Sequence, residues 1–187
     1  MIRSFVAFDL PRPVIEQLAD AQKRLKQSAS GVRWVSPGAI HLTINFLGDI
    51  DEELAPSIHR AMQESVAGSP ALTLFLTEIG AFPNKSRPRV VWAGLGGDVE
   101  ALSQIKVRLD DLLEPLGFTP EKRPFKPHLT IGRVKKMNNP RQLNLALEQA
   151  EVADHAPFMV TDLVLYKSEL SPQGAKYTSL AKAELTG

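Results

Sequence analysis

His41-Leu42-Thr43-Ile44 and His128-Leu129-Thr130-Ile131 are the same tetrapeptide placed in opposite halves of the chain. The 187 residues include only 4 histidines, and two of them sit in these identical surroundings. Successive side chains of a strand leave opposite faces, so each copy turns Leu and Ile to one side and His and Thr to the other. The apolar side is the buried one. The other side sets an imidazole beside a hydroxyl on an open surface. Two such strands side by side would present two histidines and two threonines to one cleft, a set suited to acid–base chemistry on a small anion.

The rest of the chain sets bounds on that reading. With 187 residues and 43% hydrophobic content, one bilobal domain spanning 1–187 can bury a shared core. The absence of cysteine excludes disulfides and thiolate metal sites, and it fits a reducing cytoplasm, which is the expected location. The opening run from Met1 to Leu10 is too short for a secretory signal and meets Pro11-Arg12-Pro13 at once. No segment has the apolar length of a membrane span. A net charge of +1 gives no global attraction to nucleic acid. Local charge is more telling, because Lys122, Arg123, Lys126, Arg133, Lys135 and Lys136 surround the second repeat with only Glu121 among them. Lys85, Arg87 and Arg89 form another basic run. Taken alone, such runs are ordinary solvated surface.

Periodicity and breakers supply the elements around the repeats. Strands are expected over about 3–9, 33–35, 39–47, 72–76, 89–93, 128–134, 160–166 and 176–180. Helices are expected from Pro11 to about Gln27, over about 51–67, from Val99 to near Gly117, and over about 140–152. The helix after Val99 is marked by Leu102, Ile105, Leu109, Leu112 and Leu113 at three- and four-residue steps. Ser171-Pro172-Gln173-Gly174 reads as a turn. Each half interleaves helices with strands and holds one His-x-Thr strand. The expected class is therefore α+β: a duplicated, bilobal fold with two antiparallel-rich sheets facing across a central cleft and helices outside.

An imidazole of ordinary pKa, about 6.5, can serve as acid or base near neutral pH. Of two across a cleft, the neutral one can take a proton from water while the protonated one gives a proton to a leaving oxygen. The threonine hydroxyls can hold the non-bridging oxygens of an anionic centre as charge develops on them. A phosphodiester, particularly a strained cyclic one, matches this set. The scheme requires no metal and no cofactor, and neither repeat carries a carboxylate or second histidine at ligand spacing on its own strand.

These residues resemble the two-histidine (2H) phosphoesterases, and within them the RNA 2′,3′-cyclic phosphodiesterases, also called bacterial and archaeal 2′-5′ RNA ligases. The likeness is carried by His41 through Gly48 and by Pro127 through Arg133. Phe5 to Pro11, Arg33-Trp34-Val35, Arg87 to Trp92, and Leu165 to Leu170 support it in the same order along the chain. The resemblance implies hydrolysis of an RNA terminal 2′,3′-cyclic phosphate to a 2′-phosphate, with His41 as proton donor, His128 as proton acceptor, and Thr43 and Thr130 binding phosphate. Reversal with an RNA 5′-hydroxyl in place of water would make a 2′-5′ linkage. The implied partners are RNA ends or nucleotides carrying that cyclic phosphate, with no membrane, no obligate protein partner and a monomeric state.

Arg133 and Lys126 are further candidates for contact with phosphate or RNA backbone. Strict alternation turns Arg133 away from His128 unless the strand ends or bulges near Gly132. Phe5, Phe8, Trp34 and Phe82 could stack a base, though core packing is the simpler account of each. His59 and His155 read as surface histidines. Two other function classes remain compatible with the sequence: a nucleotide- or RNA-binding module on the same fold without useful turnover, and a metal-dependent phosphodiesterase.

Overall fold

Leu42, Ile44, Leu129 and Ile131, the apolar members of the two repeats, are each no more than 4% exposed. In a computed structural model they lie in one hydrophobic core with residues from both sheets and all four helices. The structure describes residues 1–28, 30–136, 140–152, 154–171 and 174–187. The strands are β1 (Ile2–Phe8), β2 (Val32–Trp34), β3 (Leu42–Ile50), β4 (Leu72–Phe82), β5 (Val90–Gly97), β6 (His128–Val134), β7 (Phe158–Val160), β8 (Asp162–Ser171) and β9 (Gly174–Glu184). The helices are α1 (Arg12–Lys26), α2 (Ala55–Val66), α3 (Val99–Leu113) and α4 (Pro140–Glu148).

The strands form two antiparallel sheets, of order β3-β1-β8-β9 and β2-β6-β5-β4-β7. One repeat therefore belongs to each sheet, and β3 and β6 lie against each other where the sheets meet. The helices cover the remaining apolar faces. α2 packs on β8, β9 and α3, while α3 packs on β3 and β4. Helix α1 begins with proline in its first turn and buries Val14, Leu18, Ala21 and Leu25, the stripe of a one-sided helix. The fold is the α+β arrangement expected, with its sheets facing across the cleft and its helices outside. Among the described residues no helix is long and apolar enough to cross a membrane.

Several boundaries differ from the sequence reading. The strand of the first repeat begins at Leu42, because Pro37–Ala39 closes a short 3-10 turn. It continues past Gly48 to Ile50, held by pairing with the start of β1. β4 runs to Phe82 where a strand ending at Leu76 was expected, since β5 pairs with it as far as Val90. The segment read as one strand over 160–166 is divided at Thr161. Phe158–Val160 pairs with β4 in the five-stranded sheet, and Asp162 onward pairs with β1 and β9 in the other. An apolar run carries no mark of such a change of sheet. α4 ends at Glu148, short of the expected Val152. Pro172 and Gln173, in the turn expected before Gly174, lie outside the described residues.

Behind the first repeat sits a buried ion pair. Lys106 and Asp110, four apart on α3, have side chains 7% and 15% exposed and are hydrogen-bonded to each other. The other Asp110 oxygen accepts from Asn45 Nδ2 at 2.7 Å, tying β3 to the helix. Removing the carboxylate would strand a buried ammonium, which typically costs about 3–5 kcal/mol. Asp110→Ala should therefore lower the melting temperature by roughly 6 °C or more. An unchanged thermal melt would show that Lys106 readily finds water instead.

Candidate active site

Both repeat histidines are held in the same way. His41 Nδ1 donates to the Ala39 carbonyl at 2.8 Å, and His128 Nδ1 donates to the Lys126 carbonyl at 2.7 Å. Each acceptor lies two residues earlier in the chain. A carbonyl can only accept, so each Nδ1 must carry the hydrogen. That assigns the tautomer and leaves Nε2 as the nitrogen of each ring able to exchange a proton. In the neutral ring Nε2 is a base; in the protonated ring it is an acid.

Thr43 and Thr130 follow on half-buried positions. Among the described residues neither hydroxyl has a hydrogen-bond partner within the chain. Thr43 pairs with Ala7, and its neighbour Ile44 is an extra residue in the β1–β3 register. The bulge at Ile44 turns Asn45 to the helix side, where it meets Asp110, while Thr43 stays on the face of Phe5 and Ala7.

A second bulge decides the orientation of Arg133. In the β5–β6 register Val91 pairs with Gly132 and Trp92 with Thr130, leaving Ile131 as the extra residue. Ile131 and Gly132 are consequently both buried, and Arg133 returns to the exposed face of His128 and Thr130. The bulge is secured from α1. Gln22, only 1% exposed, donates to the Ile131 carbonyl at 2.8 Å and to the Val35 carbonyl at 2.7 Å. Gly132 has a steric reason as well, because a Cβ there would stand 2.8 Å from Val32 and 3.0 Å from Trp34 side-chain atoms.

Aromatic rings pack against the histidines. His41 stacks on Phe5 at 4.5 Å between centroids and meets the edge of Tyr177 at 5.2 Å. Phe5 stacks in turn on Tyr166, whose hydroxyl donates to Asp9. His128 meets Phe82 edge-on at 5.0 Å. Burial pushes the His41 pKa below the ordinary imidazole value, opposed by its bond to Ala39 and by the Asp9 carboxylate. Burial also pushes the Tyr166 phenol well up, reinforced by its bond to Asp9. Tyr177 is raised by burial too, while the positive charges of Arg133 and Arg3 pull it down. Charges from both sheets, Arg133 of one and Arg3 of the other, therefore bear on Tyr177.

The structure sorts the remaining candidates. Phe8 is fully buried in the core, and Trp34 packs over Gly132 on the core side of its sheet. Phe5 and Phe82 pack against the two histidines themselves. The Lys126 side chain is exposed, and it is the backbone of this residue that anchors His128. His59 and His155 bond the carbonyls of Lys182 and Leu76, away from the repeats. Among the described residues no three His, Cys, Asp or Glu side chains are grouped to hold a metal ion. Asp9, Tyr166 and Tyr177 were not among the site candidates read from the sequence, although Asp9 and Tyr166 lie in stretches that support the family resemblance. Their signal is faint: Tyr166 and Tyr177 face the same way only once the β8–β9 register is known.

Comparison with known proteins agrees with this geometry. A family model described as LigT like Phosphoesterase matches residues 8–92 and 97–177. A Methanocaldococcus jannaschii protein named RNA 2′,3′-cyclic phosphodiesterase is 35% identical over 176 residues, covering 94% of this chain and 96% of its own. A Thermotoga maritima protein of the same name is 31% identical and covers 100% of this chain and 97% of its own. Among solved structures, a Thermus thermophilus protein superposes with a TM-score of 0.84 at 31% identity, covering 100% of this chain and 99% of its own. E. coli LigT complexed with 3′-AMP superposes with a TM-score of 0.81 at 27% identity, with the same coverage of 100% and 99%. With the duplicated His-x-Thr strands, the two antiparallel sheets and these matches across nearly its whole length, the chain belongs to the LigT-like two-histidine phosphoesterase family.

Proposed function

We propose that this protein hydrolyses the terminal 2′,3′-cyclic phosphate of RNA to a 2′-phosphate, without a metal ion, using His41 and His128 as an acid–base pair. The observation that carries this reading is the pair of identical Nδ1 anchors, each beside an unpartnered threonine hydroxyl. The curated relatives bearing the phosphodiesterase name support it.

In the proposed step, His128 Nε2 takes a proton from water as the water oxygen bonds to phosphorus. The bond from phosphorus to the 3′ oxygen breaks, and His41 Nε2 gives its proton to that oxygen. The phosphate remains on the 2′ oxygen. Thr43 and Thr130 hydrogen-bond the non-bridging oxygens, and Arg133 offsets their negative charge. With an RNA 5′-hydroxyl as nucleophile, the reverse of the corresponding cleavage forms a 2′-5′ linkage.

The direction of proton transfer follows the family resemblance, and the environment of His41 bears on it. Its burial disfavours the protonated ring that a donor needs. The Asp9 carboxylate works against that penalty, and a bound phosphodiester anion adds to the same effect. At neutral pH the free enzyme then favours the neutral His41 ring, and substrate charge works against that preference.

The test is an RNA oligonucleotide ending in a 2′,3′-cyclic phosphate, incubated with protein and excess chelator, followed by assignment of the terminal phosphate. A 2′-phosphate is expected. A 3′-phosphate would contradict the polarity of the bond broken, and saturable binding without product would favour a binding module. His41→Ala and His128→Ala should each reduce turnover at least about a hundredfold. A near-normal rate in either variant would remove that residue from the step.

The pH profile of kcat/KM should be bell-shaped, its limbs belonging to the coupled pair. The acid limb should fall below pH of about 6.5, the ordinary histidine value, because the His41 pKa is lowered. Asp9→Asn removes a charge that favours protonated His41, so it should move that limb to still lower pH. Movement to higher pH would refute the electrostatic role given to Asp9.

A further inference from the structure

Arg33 and Arg133 are directly opposite each other in the β2–β6 register. Directly paired residues of an antiparallel ladder share a face, with their Cβ atoms about 5 Å apart. Both side chains are exposed, and that face is the one carrying His128 and Thr130. The neighbours of Arg33 on its own short strand, Val32 and Trp34, point the other way and pack over Gly132. Arg33 is thus committed to the cleft face by the same packing that fixes β2.

Two like charges directly opposite in a sheet oppose each other and weaken the pairing. Opposite charges would normally relieve such a pair, but among the described residues neither arginine has a carboxylate within ion-pair distance. On the third strand of the row Arg133 faces Val90, not a carboxylate. The pair makes physical sense when anionic groups face both guanidiniums, since each offers planar, forked donors to phosphate oxygens.

Arg133 is the nearer of the two to Thr130 along β6, and the reading above assigns it to the reacting phosphate. Arg33 lies one strand further out, about 5 Å away. Accepting the cyclic phosphodiesterase reading, we infer that Arg33 binds the next phosphate of an RNA strand, the diester joining the terminal nucleotide to the one before it. A free nucleoside 2′,3′-cyclic phosphate has no such group. Arg33 is then the residue that lets this cleft distinguish an RNA end from a cyclic mononucleotide.

The experiment compares wild type, Arg33→Ala and Arg33→Lys on two substrates: a short RNA ending in a 2′,3′-cyclic phosphate, and a nucleoside 2′,3′-cyclic monophosphate. Affinity for the same RNA with a 2′-phosphate end is measured alongside as salt is varied. Arg33→Ala should lose roughly tenfold or more in kcat/KM on the RNA and stay within about twofold on the mononucleotide. The slope of log affinity against log salt should shrink by about one. Arg33→Lys should retain most of that slope. The melting temperature of Arg33→Ala should not fall, because the substitution relieves a repulsion. An equal loss on both substrates, or an unchanged RNA affinity and salt slope, would overturn the assignment. Absence of turnover on both substrates by wild type would count against the phosphodiesterase reading instead, while the binding measurement would still decide the role of Arg33.

Discussion

The structure depends most on a local interaction made twice: an imidazole Nδ1 donating to the carbonyl two residues before it. Ala39 anchors His41 in this way and Lys126 anchors His128. The bond holds the ring and selects the tautomer together, so the proton-exchanging nitrogen is Nε2 in both cases. The 3-10 turn Pro37–Ala39 leads into the first anchor, and the Pro124 to Pro127 segment, without regular secondary structure, leads into the other. Prolines at these places suit the chain because they restrict the backbone without giving up a ladder hydrogen bond.

Once the rings are anchored, two bulges determine what else shares their faces. The extra residue Ile44 keeps Thr43 on the cleft side and sends Asn45 back to α3. The extra residue Ile131 brings Arg133 round to join His128 and Thr130. Both extra residues are isoleucines buried in the core, so the local irregularity costs no exposed apolar surface. Gln22 occupies the Ile131 carbonyl from α1, and Asp110 occupies Asn45 from α3. Helices that pack behind the sheets thereby hold the strands in the register that the cleft requires.

The repeats were legible in the sequence because strand alternation is a local property: apolar Leu and Ile against polar His and Thr suffice to assign faces. The α3 stripe was legible for the same reason, with buried Leu102, Ile105, Leu109 and Leu113 at helical spacing. What depended on distant pairing was not. The orientation of Arg133 turns on a bulge that β5 imposes, and alternation alone points it the wrong way. Tyr177 reaches His41 only because β9 pairs with β8 and β8 with β1. The division at Thr161 depends on which sheet has an open edge, and nothing between Phe158 and Tyr166 records that. The roles given to the site residues rest on chemistry joined to this geometry, beyond what register can supply.

In the proposed step both histidines act through Nε2, because both Nδ1 atoms are committed to carbonyls. Nitrogen-15 NMR of the histidine side chains, in the free protein at a pH above both titrations, measures this directly. His41 and His128 are expected to show the Nδ1–H tautomer, with Nε2 unprotonated. The Nε2–H tautomer at either residue would mean that its anchor does not form in solution, and the acid–base pairing built on it would fall.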